Sequence, residues 1–431
     1  MSAASFSPLV RPRAQALLRR DQPIAALDVG TSKIACLIGV LDENDGLKVI
    51  GIGHQAATGM RQGMVVDVEA AHQSITQAMD SAEQMAGTTA EHVLVTLGGA
   101  PIRSREMRVE MEIGGREVTA QDVNRAFLQA TNQEPEEPSF SGGAQLETVH
   151  LLPSGFLLDG HEGIHDPRGL VGHQLVARVV RVEASYTALH TLLNTLTRCG
   201  VERVQGLSLG VYASGFACLT EDEMQLGATI VDMGAGTTSF ALFSEGEAVH
   251  MNALPIGGAH VTADIAHGLT TSLPQAERLK ILHGNALPSP SDDRAAIDVL
   301  PMGESVARQR PRSELTRIIR PRVEEIFEML RESMDEAALR SSARRVVLTG
   351  GASQMPGMVE LAERKLERPV RLGQPFGING LDLLSADSPA FSSAVGLLLQ
   401  ARRPGLSAAV AQSLAPSSWL GKAWSWVRQN I

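Results

Sequence analysis

Aromatic residues, cysteines and surplus basic charge are all scarce in this chain of 431 residues. Lysine and arginine number 38 against 48 aspartates and glutamates, for a net charge of −10. With no basic stripe to neutralise phosphates, non-specific nucleic-acid binding is excluded as a role. Cys36, Cys199 and Cys218 are the only cysteines, and their scatter offers neither a disulfide framework nor a metal spacing. That suits a reducing cytosol. No apolar segment follows Arg11, Arg13, Arg19 and Arg20, so residues 1–22 read as a disordered basic extension rather than a secretory signal. The length exceeds what one hydrophobic core serves, which implies two or more domains.

The few tryptophans are all in one place. Trp419, Trp424 and Trp426 are the only three, and they fall within SSWLGKAWSWVRQNI at the C-terminus. At about 100° per helical residue, Trp419, Leu420, Ala423, Trp424, Trp426 and Val427 fill an arc of about 160°. Lys422, Ser425, Arg428 and Gln429 take the other side. A bilayer span needs roughly 20 apolar residues, more than this tail has. An amphipathic helix of this kind lies in the headgroup layer, indoles at the boundary and Lys422 and Arg428 toward anionic lipid. The alternative is a helix docked on the protein's own surface. The Pro-, Ser- and Ala-rich linker before it holds the helix away from the parent domain and favours the lipid reading.

What the body of the chain has in abundance is glycine at strand ends. LDVGTSKIACLIGV and VDMGAGTTSFALFS are both strand–turn–strand units with an aspartate closing the first strand, Asp28 and Asp232. Such a hairpin wraps successive backbone N–H groups around a phosphate, and glycine lets the chain come close. From this we expect Gly30, Thr31, Ser32, Gly234, Gly236, Thr237 and Thr238 at phosphate groups, with Lys33 as a neighbouring cation. Asp28 and Asp232 would face one another and hold a hydrated Mg²⁺. A third turn, Gly350–Gly351 after Thr349, leaves bare backbone for an adenine or ribose. Glu277 and Lys280 lie one helical turn apart, with polar ends able to reach the same ligand. Two facing hairpins imply a duplicated α/β fold with a nucleotide between the halves.

These hairpins and the glycine turn resemble the actin-like ATPase superfamily of actin, Hsp70 and sugar kinases, whose fold is ribonuclease H-like. Within it, GMVVDVEAAHQSI, TEDEMQLGATIVDMGAGTT, AERLKILHG and VVLTGGASQMPG resemble the FtsA family of bacterial cell-division proteins. The resemblance covers about residues 23–401 and resumes in the tail. Departures are minor: Gly234-Ala235-Gly236 stands where three glycines are common, and the first acid is Asp28 where some relatives carry Glu.

The resemblance implies an order of parts: half I at 23–101 and 181–225 (subdomain 1A), and an α+β insertion at 102–180 (1C). Half II follows at 226–262 and 326–401 (2A), enclosing subdomain 2B at 263–325. A linker at 402–416 and a membrane-targeting helix at 417–431 complete it. It also implies ATP and Mg²⁺ as ligands, with ATPase activity slow at most. Ser208 and Ser214, on the connector read at 208–219, are the weak candidates for placing water. The implied partners are further copies in a filament, the C-terminal peptide of the tubulin-like FtsZ, and anionic lipids of the inner membrane. Later division proteins would meet the insertion. The place of action would be the cytoplasmic face of the membrane at the division site. Of the arginines at 308, 310, 312, 317, 320 and 322, Arg312, Arg317 and Arg320 are the candidates for the FtsZ peptide. Glu314, Glu324 and Glu325 interleave that cluster, which argues against nucleic acid.

Other readings fare less well. A sugar or carboxylate kinase needs a catalytic Asp between the hairpins, and an Hsp70 needs a peptide-binding domain after the ATPase, where only about 30 residues follow Ala401. A pilus-assembly ATPase shares the hairpins but not the tail. His161-Glu162-Gly163-Ile164-His165 matches H-E-x-x-H, yet that motif binds zinc only on a helix. Asp159-Gly160, Gly163 and Pro167 predict a turn here instead.

Overall fold

The structure, a computed structural model, describes residues 22–42, 46–99, 101–132, 140–141, 143–201, 204–338, 345–381 and 388–402. The expected membrane residues Trp419, Leu420, Lys422, Trp424, Trp426, Val427 and Arg428 lie outside them, as do nearly all of the N-terminal extension and the linker.

Two five-stranded sheets have the same strand order. In the first, Leu47–Ala56, Lys33–Leu41 and Ile24–Val29 run antiparallel, and Ile24–Val29 then pairs parallel with His92–Leu97, which pairs with Val204–Leu209. In the second, Glu247–Leu254, Thr238–Ser244 and Ala228–Met233 run antiparallel, followed in parallel by Arg345–Thr349 and Val370–Leu372. The central strands IAALDV and ATIVDM are buried almost throughout, as sheets covered on both faces require. The helix Val68–Ala86 covers the first sheet: Asp67 caps it by accepting the N–H groups of Glu69 and Ala70, and Gly87 ends it at φ 67°. It lies close because Gly53 has no side chain, and a Cβ there would sit 1.9 Å from Ala78 O.

The helices Gly210–Cys218 and Ser392–Gln400 cross one another between the halves. The first packs on the second sheet and the second on the first sheet. Both are buried nearly all round, which marks them as core helices.

The insertion is an antiparallel sheet in the order His161–Ile164, Ala144–Leu158, Val171–Ser185, Ile102–Glu117. The helix Ala120–Asn132 lies against it through Ala126, Phe127 and Ala130, the α part of the expected α+β insertion. The H-E-x-x-H residues form the short edge strand His161–Ile164, entered through Asp159 at φ 51° and Gly160 at φ 81°. They are neither a helix nor the simple turn expected. Zinc geometry is absent either way.

After the second hairpin come the helices Gly258–Gly268 and Leu273–His283 and the hairpin of Ala296–Val299 with Arg308–Pro311, most of it within the stretch 263–325 expected as subdomain 2B. The Pro- and Asp-containing stretch 284–313 thus contributes two short strands. Pro321 sits inside the long helix Arg312–Ala338. Proline removes one helical hydrogen bond, and the buried row Leu315, Ile319, Val323, Ile326, Phe327 and Leu330 packs into the core on both sides of that loss. Among the described residues no helix is long and apolar enough to cross a membrane.

Candidate functional site

Both hairpins turn identically. Gly30 N–H donates to Lys33 O at 3.0 Å, and Gly234 N–H donates to Thr237 O at 2.9 Å. Asp28 pairs with Ala35 across its hairpin and Asp232 with Ser239 across the other. Between them lies a cavity of about 490 Å³, within the usual range for small-molecule sites.

Asp28, Gly30, Thr31, Ser32 and Lys33 line it from one half, and Asp232, Gly234, Gly236 and Thr237 from the other. Glu277, Lys280, Gly350 and Gly351 line it as well, with apolar cover from Val261, Ile281, Met355 and Pro356. Thr238 does not join them. Its side chain is fully buried and its hydroxyl donates to Ile256 O at 2.8 Å. Period-two alternation explains this: a residue next to the turn on the strand points to the opposite face from Thr237.

The acids are desolvated and separately held. Thr96 Oγ1 donates to Asp28 Oδ1 at 2.6 Å, while Ser214 and Ser393 donate to Asp232 Oδ2 at 2.8 and 3.0 Å. Burial raises the proton affinity of both carboxyls, more than these donors and Lys33 lower it. Burial also pulls Lys33 down to about 8, against the opposing pull of Asp28 and Asp232. Its ammonium donates to Ala390 O at 2.5 Å and lies 3.4 Å from the centre of the Phe391 ring.

Two desolvated carboxylates opening on one cavity fit a divalent cation, whose charge relieves the cost of their burial. Among the described residues no three His, Cys, Asp or Glu side chains converge. A cage made wholly of protein is therefore lacking, and two carboxylates with water and phosphate is the Mg²⁺ pattern. The glycine turns and N–H groups suit polyphosphate.

The third turn divides its duties. Gly350, at φ 86°, makes room for Asp232, since a Cβ there would lie 2.4 Å from Asp232 Oδ1. Gly351 has only Ala390 Cβ near its open side, at 3.9 Å, and is the bare backbone expected. Glu277 and Lys280 pair at 2.8 Å, and Lys280 donates to Gly258 O and Thr262 Oγ1 at 3.0 and 2.8 Å.

Neither Ser208 nor Ser214, the weak candidates for placing water, lines the cavity. Ser208 is buried against Leu209 O, and Ser214 is committed to Asp232. Of the three candidate arginines, Arg312 bonds buried Asp292 at 2.8 Å and Arg320 bonds Glu324 at 2.7 Å. Arg317 makes the loosest pair of the three, 3.9 Å from Asp293, with both side chains mostly exposed. Sequence reading missed Thr96, Gly98, Gly99 and Ser393. One signal was there: VTLGGA at 95–100 is echoed, with threonine and leucine exchanged, by VLTGGA at 347–352, a strand running into a glycine pair in each half.

A family model described as "Cell division protein FtsA" matches residues 229–396, and another, "SHS2 domain inserted in FTSA", matches residues 99–182. Curated relatives called "Cell division protein FtsA" include one from Rhizobium meliloti, 36% identical with 96% of each chain covered. Another, from Agrobacterium fabrum, is 38% identical over 88% of this chain and 87% of its own. Among solved structures, a PilM-PilN type IV pilus biogenesis complex aligns with TM-score 0.63 at 19% identity, covering 88% of this chain and 99% of its own. MreB5 of Spiroplasma citri bound to ADP aligns with TM-score 0.51 at 12% identity, covering 88% and 95%. These distant likenesses carry the fold alone, which is actin-like with an inserted domain.

Proposed function

This chain belongs to the FtsA family of cell-division proteins, and from that premise we propose that it is a peripheral membrane scaffold of the division machinery. ATP and Mg²⁺ bind between the hairpins, select a closed conformation, and so favour a filament of like copies. The filament ties FtsZ, through its C-terminal peptide, to the cytoplasmic face of the inner membrane. Later division proteins meet the insertion.

The observation that carries this reading is the pair of matched hairpins around one cavity. The resident acids of that cavity argue against a kinase or a fast hydrolase. Among the described residues lining it the carboxylates are Asp28, Asp232 and Glu277. Thr96 engages the first, Ser214 and Ser393 the second, and Lys280 the third. No acid is left poised over a sugar hydroxyl or an attacking water, and turnover is slow. Mg²⁺ when bound screens the phosphate charge; Asp28 and Asp232 hold its water, and Lys33 supplies a further positive charge.

Of Arg312, Arg317 and Arg320, Arg317 is the most exposed and so the most open to an acidic peptide. Exposed Leu273, Leu300 and Met302 lie near one another there, since Met302 N–H donates to Thr270 O at 2.8 Å. They give that peptide an apolar footing.

Membrane attachment follows from the tail. One short amphipathic helix binds lipid weakly, and a filament presents many at once, which raises avidity by orders of magnitude. The test is co-sedimentation of the full chain, and of the chain lacking residues 417–431, with anionic liposomes and FtsZ, with and without Mg-ATP. The full chain should carry FtsZ into the pellet, more so with Mg-ATP. The truncated chain should bind ATP and stay in the supernatant. Unchanged sedimentation of the truncated chain would sink the anchor.

A further inference from the structure

We infer that the turn at Gln62–Gly63 is a clamp across the cleft, with Gln62 a positioning residue whose bond to the opposite half must break for the cavity to open. Met60–Arg61 and Met64–Val65 pair as a small hairpin, and its two tip residues both take left-handed backbone, φ 48° and 75°. Two-residue hairpin loops take positive φ at both positions, a conformation that costs glutamine more than glycine. The tip is held from three sides.

Thr31 Oγ1, on the first phosphate hairpin, accepts the Gly63 N–H at 2.8 Å. The Gly98–Gly99 turn backs onto the tip so closely that a Cβ on Gly63 would lie 2.2 Å from Gly99 N. The third side belongs to the other half of the molecule. A Cβ on Gly236, in the second phosphate hairpin, would lie 2.5 Å from Thr31 Oγ1 and 2.8 Å from Gln62 Cα. Gly236 is therefore glycine for clearance of the tip, a duty distinct from close approach to a phosphate.

The side chain completes the bridge. Gln62 Nε2 donates to Pro255 O at 3.1 Å, across 193 residues of chain. Pro255 leads into a segment stitched to the second hairpin, where Gly258 and Ala259 N–H donate to Gly234 O and Ala235 O at 2.9 and 2.8 Å. The tip thus touches both phosphate hairpins, and Gln62 reaches the strand-to-helix turn that positions the second. Separating the halves withdraws the tip from Gly236 and breaks the bond to Pro255. Gly63 lines the cavity while Gln62 does not, so Gln62 acts on a ligand only through closure. The clamp stands on these contacts, and its effect on nucleotide rests on the proposed ATP site.

The test uses the full chain with Gln62→Ala and Gln62→Glu. Glutamate keeps the size but has no N–H to donate to a carbonyl. Without nucleotide, amide exchange in peptides covering 233–240 and 253–260 should rise about fivefold in both variants, the worth of one hydrogen bond. The melting temperature should stay near that of the wild type. With a fluorescent ATP analogue and Mg²⁺, dissociation should be about fivefold faster in both. Unchanged exchange across the cleft in both variants overturns the clamp. A rise in Gln62→Ala alone overturns the donated bond and leaves side-chain bulk as the cause. Faster exchange with unchanged dissociation overturns the link to nucleotide. A wild-type chain that fails to bind the analogue, with exchange still responding, refutes the ATP site and upholds the clamp.

Discussion

The two halves share a backbone plan and divide the side-chain work differently. Leu27 pairs with Val95 in the first sheet and Asp232 with Thr349 in the second, which places Thr96 and Thr349 at equivalent points beside the two acids. Thr96 donates to its acid, Asp28, at 2.6 Å. Thr349 instead joins Ser392 Oγ at 2.6 Å and Gly373 O at 3.1 Å, and it leaves Asp232 to Ser214 and Ser393. Those serines come from the two helices that cross between the halves. The first acid is therefore held within its own half, and the second is held at the junction. The two halves keep one hairpin frame around the cavity, and they differ in that one of the two acids is tied to the relative position of the halves.

That contrast is broken most severely at the helix crossing itself. Gly396 meets Gly210–Cys218 so closely that a Cβ would lie 1.8 Å from Ala213 O. Gly396→Val should force the helices apart and cost about 3 kcal/mol of stability, the upper end of overpacking. Thermal unfolding checks this. The effect on Asp232 should be visible as weakened nucleotide binding at temperatures where the variant is still folded. A Gly396→Val chain as stable as the wild type would show that the junction is not tightly packed.

The equivalent threonines sharpen the comparison at smaller cost. Thr96→Val removes a donor from Asp28, raises that acid's proton affinity further and should weaken Mg-ATP binding by about 1–2 kcal/mol. Thr349→Val breaks a buried hydroxyl network and should cost a similar amount of stability, with nucleotide affinity close to wild type. Binding titrations and melting curves on both variants separate the two. If Thr349→Val weakens binding as much as Thr96→Val, the division of labour argued above fails.

The legible parts of this architecture were those whose chemistry is local in sequence. An aspartate with a glycine two residues on, Asp28 before Gly30 and Asp232 before Gly234, marks each hairpin turn, and the period-two alternation of IRSREMRVEMEI marks a strand of the insertion. Helix Val68–Ala86 was legible through its acidic cap. The illegible parts join distant residues. Ser393 reaches Asp232 across 161 positions and Thr96 reaches Asp28 across 68, and a lone hydroxyl has no periodicity to betray it. Gln62 was hidden for the same reason. Pro321 gives no guide to its helix: a proline ordinarily marks a helix start, whereas buried Leu315, Ile319 and Val323 lie on both sides of it within one helix.

The smallest expected effect tests a difference in charge. The first hairpin ends in Lys33 where the second has Thr237, so only the first half brings a cation to the cavity from its turn. Burial lowers the Lys33 ammonium to about 8, from an ordinary value of 10.5. Because the folded state holds this proton less tightly than the unfolded chain, the unfolded state binds more protons between those values. On this account stability rises as pH increases from about 8 toward 10.5. The charge available to a phosphate is lost over the same interval. ATP affinity and fold stability should therefore move in opposite directions between pH 7 and pH 9, with affinity falling by at most about tenfold for each pH unit above 8. Lys33→Met should remove the Lys33 share of both trends, which titrations and melting curves at the two pH values would reveal. Parallel trends in wild type and variant would mean that the cation of the first hairpin does not distinguish it from the second.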